Sequence, residues 1–303
     1  MKNILIIGCG LLGSSLLRRI HKKKIVKKIF IYEKSNRNIQ KIKKLKLPGI
    51  IVKHPENVVG ECNLIILCTP MSEYKTIILR LNKSLTTKNI LTDVGSSKVE
   101  SNRIINKNLK KNIPWISGHP IAGSEVSGPQ NGKQNLFEKK WCVLIKEKNT
   151  NIKFNHLKFL KSFWKKMGSK IVIMTAEKHD KIFSITSHLP HLIAYNLVKS
   201  AQDFEHKEKY DLIKYSAGGL RDFSRIAASN EIMWRDIFFN NKKNILKAID
   251  LFIKNLKSFK KDIKLKNNRS ISKKLLKTKK VRSKIIKLKQ DTDRPDFGRA
   301  DLN

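Results

Sequence analysis

The feature that most constrains this chain is a glycine-rich turn near its start, Gly8-Cys9-Gly10-Leu11-Leu12-Gly13, which has the form GxGxxG. An apolar run predicted as a strand over Asn3–Ile7 leads directly into the turn. An amphipathic stretch predicted as a helix over Leu11–Lys22 leaves it. A glycine turn alone is weak evidence, but a strand before it and a helix after it are typical of a dinucleotide-binding fold.

Each position of this turn has a separate physical task. Gly8 permits the tight turn, Gly10 lets a pyrophosphate approach the backbone, and Gly13 lets the helix and strand pack closely. The predicted helix begins at Leu11, and its first turn, with Leu11 and Leu12, offers free N–H groups and a positive dipole end to phosphates. These residues are therefore the predicted cofactor-binding turn.

The nature of the cofactor depends on the end of the second predicted strand. Glu33 stands there, twenty residues after Gly13, where a carboxylate can accept hydrogen bonds from ribose hydroxyls. Because an acid repels a 2′-phosphate, NAD is favoured, and Lys34 and Arg37 keep NADP open as an alternative. Thr69, directly after the fourth predicted strand, is included in the predicted cofactor site.

The first half of the chain alternates short apolar runs with amphipathic stretches, which is typical of a parallel α/β sheet. After about Thr175 the pattern changes to long helical periodicities. The sequence therefore predicts an α/β Rossmann-type domain over residues 1–174, an all-helical domain over 175–289 and a loose tail over 290–303. Further predicted strands are Ile29–Glu33, Ile50–Val52, Leu64–Cys68, Ile90–Asp93, Trp115–Ser117, Trp141–Ile145 and Lys170–Met174. Further predicted helices are Ile152–Met167, Asp180–Gln202, Lys207–Ala217 and Glu231–Leu265.

The formal net charge of +41 raises the question of a nucleic-acid partner. Lysine supplies 53 of the 65 basic residues, whereas base and phosphate recognition favours the planar fork of arginine. Two interpretations stay open: solvated lysines that reflect compositional bias, which we favour, and a polyanion-binding surface. No specific nucleic-acid partner is predicted, and the basic segment Lys257–Lys289 receives no function. In either case the positive field should steer an anionic substrate towards the protein.

No apolar stretch approaches the roughly 20 residues that a membrane-spanning helix needs, and the start of the chain lacks the features of a secretory signal. The cysteines show no CxxC pairing and lie in apolar segments, at Cys9, Cys62, Cys68 and Cys142. They are predicted to be buried thiols in a reducing compartment. We therefore expect a cytoplasmic protein without a membrane partner.

Polar clusters follow the predicted strands and open the predicted helices. They are TDVGSSK at Thr92–Lys98, GHPIAGSEVSG from Gly118, HD at His179-Asp180, SHLPH at Ser187–His191, GGLRDFSRIA from Gly218 and IMWRDIF from Ile232. Together with the glycine turn, these stretches resemble in content and order the prephenate/arogenate (cyclohexadienyl) dehydrogenase family. The resemblance extends to about Leu256.

The resemblance implies a reaction: oxidation of a ring hydroxyl by NAD(P) with loss of the ring carboxylate, on the route to tyrosine. His119 matches the family's catalytic histidine, and an imidazole that titrates near neutral pH is a natural base for the hydroxyl proton. Ser96 matches a serine beside the hydroxyl and nicotinamide, although it could instead cap the helix that follows Lys98. Arg225 matches the arginine that grips a substrate carboxylate, a task suited to a guanidinium.

The resemblance also assigns residues around this core. His191 is expected to contact the substrate side chain. His188, placed with it in the substrate-binding site, is expected to orient His191 or to pack. Trp234 is either a core aromatic residue or a contact to a neighbouring subunit's site. Positioning roles, towards Arg225 or the helices, fall to Asp222, His179 and Asp180. Two histidines without a third ligand at useful spacing predict no metal site.

The family's helical half implies a homodimer, and we expect a stand-alone dehydrogenase with prephenate or arogenate as its substrate. Two alternatives remain. Another Rossmann hydroxy-acid dehydrogenase would rely on a catalytic lysine and asparagine on a helix, where this chain has SHLPH and GGLRDFSR. A non-enzymatic polyanion-binding protein on a Rossmann scaffold would show salt-sensitive DNA binding without turnover.

Overall fold

The computed structural model describes residues 3–147 and 154–288, which contain eight strands and eleven α-helices. The larger sheet is parallel, has the strand order β3-β2-β1-β4-β5 and consists of β1 (Asn3–Ile7), β2 (Lys28–Tyr32), β3 (Ile50–Ile51), β4 (Leu64–Leu67) and β5 (Ile90–Asp93). The chain crosses to opposite sides of β1 in the two halves of this sheet. Such a reversal opens a crevice at the carboxyl ends of the central strands, which is where open α/β sheets bind ligands.

The larger sheet is covered on both faces, as its continuous apolar strands require. Ile4 and Ile6 of β1 are fully buried against apolar residues of the helix α1 (Leu11–Lys22). The alternate residues Leu5 and Ile7 face a second core. The first four helices are α1, α2 (Asn36–Lys44), α3 (Tyr74–Leu81) and α4 (Val99–Asn108). Each buried Ile or Leu contributes about 1.5–3 kcal/mol, so the sheet that positions the glycine turn is strongly stabilised.

A second sheet of three strands, in the order β6-β7-β8, follows in the chain: β6 (Gly118–Pro120), β7 (Trp141–Ile145) and β8 (Lys170–Met174). The helix α5 (Phe154–Met167) connects β7 with β8, and the predicted start of that helix at Ile152 lies outside the described residues. The predicted strand Trp115–Ser117 is wrong. Only Trp115 forms a bridge, with Leu91 of the larger sheet, and the strand proper begins at Gly118. The chain leaves the larger sheet here because the Gly118 amide donates a hydrogen bond to the Asp93 carboxylate at 2.9 Å.

The remainder of the described chain is helical: α6 (Ala176–Phe183), a π-helical turn (Ser184–His188), α7 (Leu189–Glu208), α8 (Gly218–Ala227), α9 (Glu231–Asn240), α10 (Lys242–Lys264) and α11 (Asn268–Lys287). The predicted helix over Lys207–Ala217 is wrong, because α7 ends where Lys209 adopts a left-handed backbone with φ 56°. The predicted helix over Glu231–Leu265 is interrupted at Asn241, whose side chain bonds to residues outside these helices. The predicted order, an α/β region followed by helices, is confirmed.

By packing, the chain divides into two compact units that meet in sequence between Leu246 and Lys247. The change from sheets to helices does occur at about residue 175, but α6 to α9 belong to the first unit. The domain boundary at 174/175 therefore stays a prediction, and the predicted tail 290–303 lies outside the described residues. The four cysteine thiols are unpaired, and in the described ranges no helix is long and apolar enough to cross a membrane.

Candidate active site

The glycine turn lies between β1 and α1, at the carboxyl edge of the larger sheet. Gly8 has a φ of +90°, and a Cβ there would lie 2.7 Å from the carbonyl oxygen of Cys68. A Cβ on Gly13 would overlap the carbonyl oxygen of Gly8. Both positions therefore exclude any side chain, as the sequence predicts.

The third glycine has the opposite environment. Gly10 is the N-cap of α1, and a Cβ added to it would meet no described atom within 4 Å. The first turn of α1, with Leu11 and Leu12, contains no acidic residue, so its positive end faces open space. Beside Gly8, the hydroxyl oxygen of Thr69 is buried and has no hydrogen-bond partner among the described residues. An open, positive helix end next to an unsatisfied hydroxyl fits a dinucleotide pyrophosphate.

Glu33 follows β2 directly and reaches back to the glycine turn. Its Oε2 accepts a hydrogen bond from the Cys9 amide at 2.8 Å, and its Oε1 accepts one from the Ser35 amide at 2.9 Å. Lys34, one of the two residues that keep NADP open, points to solvent and lies 3.7 Å from Glu73. The carboxylate is therefore held at the edge of the predicted cofactor site, and the lysine is turned towards another acid.

The predicted base, His119, is the first of three buried side chains that are linked by hydrogen bonds. Nδ1 of His119 lies 2.8 Å from Nε2 of His179, and Nδ1 of His179 lies 2.8 Å from Oδ1 of Asp180. Phe183 packs edge-on against His119 and flanks His179. His179 and Asp180 have no exposed surface, and His119 retains 9%. These contacts fix the ring of His119 in one orientation.

The chain also assigns the protons of both rings. A carboxylate only accepts hydrogen bonds, so His179 donates from Nδ1 to Asp180 and its Nε2 must accept. His119 then donates from Nδ1, which leaves its own Nε2 as a lone pair without a described partner. Burial, together with the charges of His179 and Lys98, holds the pKa of His119 well below its usual range. The imidazole is therefore neutral, with a free lone pair at Nε2, but it is a weaker base than the near-neutral imidazole that the sequence predicts.

A buried ion pair joins the two strands that carry the predicted catalytic residues. Nζ of Lys98 lies 2.7 Å from Oδ2 of Asp93 and donates to the Gly118 carbonyl at 2.7 Å and the Ser117 hydroxyl at 3.1 Å. The Tyr74 hydroxyl donates to the same carboxylate at 2.8 Å. Sequence reasoning missed this network, although TDVGSSK contains both charges. The pair links the turn after β5 to the start of β6, beside His119.

Ser96 lies in that turn, half-buried, and does not cap α4. The N-cap of α4 is Lys98, with no side-chain cap, and Asp180 instead accepts from the amides of Lys98 and Val99 at 2.8 and 2.9 Å. The capping alternative for Ser96 is therefore wrong. Because Asp180 binds both this turn and His179, it connects Ser96 with His119.

His188 is linked to Asp180 through the side chain of Asn241. It is fully buried, and its Nδ1 accepts from the Asn241 side-chain amide at 3.1 Å, while that amide also donates to the Asp180 carbonyl. Burial lowers the pKa of His188 to about 4, against an opposing effect of the Ser96 backbone. His188 is therefore buried and bonded to Asn241, and its predicted role towards His191 stays a prediction.

The predicted substrate-binding groups lie on α7, α8 and α9. His191 donates from Nδ1 to the Ser187 carbonyl at 2.9 Å and stacks on Trp234 with ring centroids 3.8 Å apart. Burial lowers the pKa of His191, and the charge of Arg225 adds to the effect, so these two residues are electrostatic neighbours. Trp234 is 5% exposed within the second core, which agrees with the core-aromatic alternative.

Arg225 is about one-third exposed and is held between two acids. Its Nη1 donates to Oε1 of Glu125 at 3.3 Å, and its Nη2 lies 3.6 Å from Oδ1 of Asp222. Glu125 was missed by sequence reasoning, although it stands inside GHPIAGSEVSG. Asp222 lies beside Arg225, whereas the described contacts of His179 and Asp180 go to His119 and to the first turn of α4. The positioning roles of all three residues stay predictions.

Comparison with known families decides what this arrangement belongs to. The sequence model for the prephenate dehydrogenase nucleotide-binding domain matches residues 16–173, and the model for the prephenate dehydrogenase dimerization domain matches residues 175–297. The chain belongs to the prephenate dehydrogenase family. The other Rossmann hydroxy-acid dehydrogenases are thereby set aside, and the protein is an NAD(P)-dependent dehydrogenase.

Individual members of the prephenate dehydrogenase family resemble the chain over most of its length. The cyclohexadienyl dehydrogenase of Zymomonas mobilis is 33% identical over 256 residues, which cover 84% of this chain and 86% of that protein. The prephenate dehydrogenase of Bacillus subtilis is 33% identical over 258 residues, 84% of this chain and 68% of that protein. The crystal structure of Aquifex aeolicus prephenate dehydrogenase with hydroxyphenyl propionate and NAD+ has a TM-score of 0.86 and 33% identity, and covers 94% of this chain and 98% of that chain.

Proposed function

We propose that the protein catalyses the oxidative decarboxylation of prephenate, of arogenate or of both, with NAD as the hydride acceptor. The observation that carries this proposal is the hydrogen-bonded chain Asp180–His179–His119, which leaves one imidazole nitrogen neutral and unpartnered beside the Ser96 turn. A dehydrogenase of hydroxyl groups needs such a base. Membership of the prephenate dehydrogenase family supports the same reaction.

His119 removes the hydroxyl proton through Nε2. The ring of His119 then carries a positive charge, while its Nδ1 continues to donate to His179. The Asp180 carboxylate lies on the far side of the His179 ring. The two supporting residues hold the tautomer that exposes the lone pair and stabilise the cation that forms, a role that a buried carboxylate plays behind a catalytic histidine. Ser96, with no cap to make, can donate its hydroxyl to the substrate oxygen.

Bound NAD supplies the acceptor for the hydride that leaves the carbon of the same hydroxyl. Gly8, Gly10 and Gly13 shape the turn that would hold its pyrophosphate, and the Thr69 hydroxyl offers an unused hydrogen bond. Glu33 would accept from the ribose hydroxyls. As the carbonyl forms, the bond to the ring carboxylate breaks and carbon dioxide leaves. The electron pair of the broken bond completes the aromatic ring, and the phenolate oxygen takes back the proton held by His119.

Arg225 binds a substrate carboxylate. Its guanidinium is one-third exposed, and a substrate carboxylate can replace the 3.3 Å contact to Glu125. His191, whose Nδ1 is bonded to Ser187, presents an accepting Nε2 to the substrate side chain. The ammonium group in the side chain of arogenate can donate to this nitrogen, whereas the ketone of prephenate only accepts and would bind to other donors. Both substrates stay open.

We also propose that the active enzyme is a homodimer in the cytoplasm. The dimerization-domain match over residues 175–297 supports the dimer. Apolar side chains of α10 and α11, such as Leu251, Leu256, Leu275 and Leu276, are more than half exposed, which a partner chain would cover.

The test is NADH formation by the purified protein, with prephenate and arogenate compared in parallel and NADP then replacing NAD. We expect turnover with at least one substrate, and a fall of roughly 100-fold or more in kcat for His119→Asn with cofactor affinity retained. His206→Asn, at an exposed histidine of α7, is the matched control and should leave kcat unchanged. A folded protein that is silent with both substrates and both cofactors would overturn the proposal.

A further inference from the structure

The positive charge of this protein is concentrated in one part of it. Residues 247–288, the described part of the second compact unit, contain sixteen lysines and arginines and two aspartates, a net charge of +14. That is roughly one charge in three residues, compared with about one in nine for residues 1–246. A compositional bias towards lysine would act on the whole chain, so it does not account for this difference.

The helix α11 arranges these charges in a line. At 3.6 residues per turn, side chains spaced by three or four residues lie on one face. Six exposed cations follow that spacing and are called the basic row here: Arg269, Lys273, Lys277, Lys280, Lys284 and Lys287. The row is about 27 Å long at a rise of 1.5 Å per residue. None of the six forms an ion pair with a described residue, and α11 contains no acid that could neutralise them.

An acid of α10 in the same unit is already paired. Asp262 of α10 lies 2.5 Å from Nζ of Lys274 and accepts from the Ser270 hydroxyl at 2.8 Å. Lys274 also donates to the Ser258 hydroxyl and lies over the ring of Phe259. The hydrogen bond from Lys274 lowers the pKa of Asp262, so the contact persists in mildly acidic solution. This clamp holds α11 against α10 with a lysine outside the basic row, and the row stays unneutralised.

The position of the apolar side chains decides between two kinds of anionic partner. Four of the six apolar residues of α11, Ile271, Leu275, Ile285 and Ile286, lie on the opposite side from the basic row, and Leu276 lies at the edge of the row. A helix lying in an anionic membrane buries its apolar face and commonly carries Trp or Phe there, but α11 has no aromatic residue. If the basic row contacts a surface, the apolar side faces away from it. A long polyanion in solution needs the row alone.

We propose that the basic row of α11 binds the phosphate backbone of nucleic acid without sequence preference. Lysines provide point charges for phosphates, and the lack of aromatic residues on α11 leaves no platform for base stacking. Six neutralised phosphates predict a slope of about −4 for the logarithm of the association constant against the logarithm of salt concentration on a single strand. Binding is therefore strongly weakened by salt and independent of the dehydrogenase reaction.

The experiment measures fluorescence anisotropy of a labelled single-stranded RNA of about 20 nucleotides, longer than a typical single-strand site, with the full chain at several salt concentrations. The test variant is K277E/K280E/K284E, and the matched control is K158E/K165E/K166E, three exposed lysines of α5. Both variants change the net charge equally. We expect at least a tenfold higher Kd and a slope reduced to about −2 for the α11 variant, with less than a twofold change in Kd for the control. NADH formation and circular dichroism should match the unmodified protein in both.

Three results would overturn the proposal. An equal loss in both variants would mean that net charge alone attracts the RNA. Absence of binding by the unmodified protein at low salt would remove the site. Tighter, α11-dependent binding to vesicles rich in phosphatidylserine than to RNA would assign the row to a membrane surface instead.

Discussion

Replacing Lys98 by methionine tests the buried ion pair on which the predicted catalytic geometry depends. In the variant, Asp93 keeps its hydrogen bonds from Tyr74, Ser117 and the Gly118 amide but loses its only described cation, in a region with no exposed surface. Removing one partner of a buried ion pair costs about 3–5 kcal/mol, because the other charge stays buried and uncompensated. At about 2–4 °C per kcal/mol for a unit of this size, Tm should fall by about 6–20 °C.

The assay is urea unfolding of Lys98→Met, Asp93→Asn and the double variant, with exposed Lys158→Met as the matched control. Because a buried pair can be replaced as a whole at little net cost, the double variant should recover at least half of the loss. Burial lowers the pKa of Lys98, and the charge of Asp93 opposes that effect. A loss below about 1 kcal/mol for Lys98→Met, or no recovery in the double variant, would refute the reasoning.

Three further perturbations test other parts of the site. Acid should destabilise the protein from about pH 6.5 downwards, because burial lowers the pKa of His179 to about 2 and that of His188 to about 4. Below about pH 6.5 these histidines are protonated in the unfolded chain and not in the folded one. Each should therefore lower the free energy of unfolding by about 1.4 kcal/mol per pH unit. Urea midpoints measured from pH 8 to pH 5 check this, and a flat profile contradicts it. Arg225→Ala should raise the substrate KM by at least tenfold and leave NAD affinity within about twofold, since one charge-assisted contact is worth about 1.5–3 kcal/mol; equal effects on both would remove the carboxylate assignment. Glu33→Ala should relax the preference for NAD over NADP in kcat/KM, and an unchanged ratio would mean that other residues decide it.

The sequence predicts best where the backbone itself is constrained. The glycine turn, the strand Asn3–Ile7 and the helix Leu11–Lys22 are all confirmed with their predicted bounds. Their signal is local, because the glycines exclude side chains and the apolar period changes from two to 3.6 at the turn. The family resemblance is confirmed as well, since it rests on residue order and not on packing.

The errors arise where tertiary contacts override local pattern. The apolar period continues through Asn241, but the helix is interrupted there. The side-chain amide of Asn241 donates hydrogen bonds to the Asp180 carbonyl and to His188 instead. The strand at Trp115–Ser117 fails because Asp93 draws Ser117 and the Gly118 amide towards itself. No spacing rule brings Asp93 and Lys98 together with β6.

The partners of His119 were misplaced for the same reason. His179 lies sixty residues from His119 in sequence, and only the fold shows that their rings share a hydrogen bond. The roles of the individual site residues stay predictions until the variants are measured.

The π-helical turn Ser184–His188 makes the length of this segment as important as its composition. It contains one residue more than an α-helical turn would hold, between the helix that carries His179 and the helix that carries His191. Because the extra residue only widens one turn, the helix beyond it keeps the register of a regular α-helix one residue shorter. Deleting a residue between His179 and this turn would rotate everything beyond it by about 100° relative to His179, and His191 would then leave the side it shares with Trp234. A deletion inside the turn can be absorbed by a return to α-helical geometry, whereas one beside it would separate the proton-accepting half of the site from the substrate-binding half.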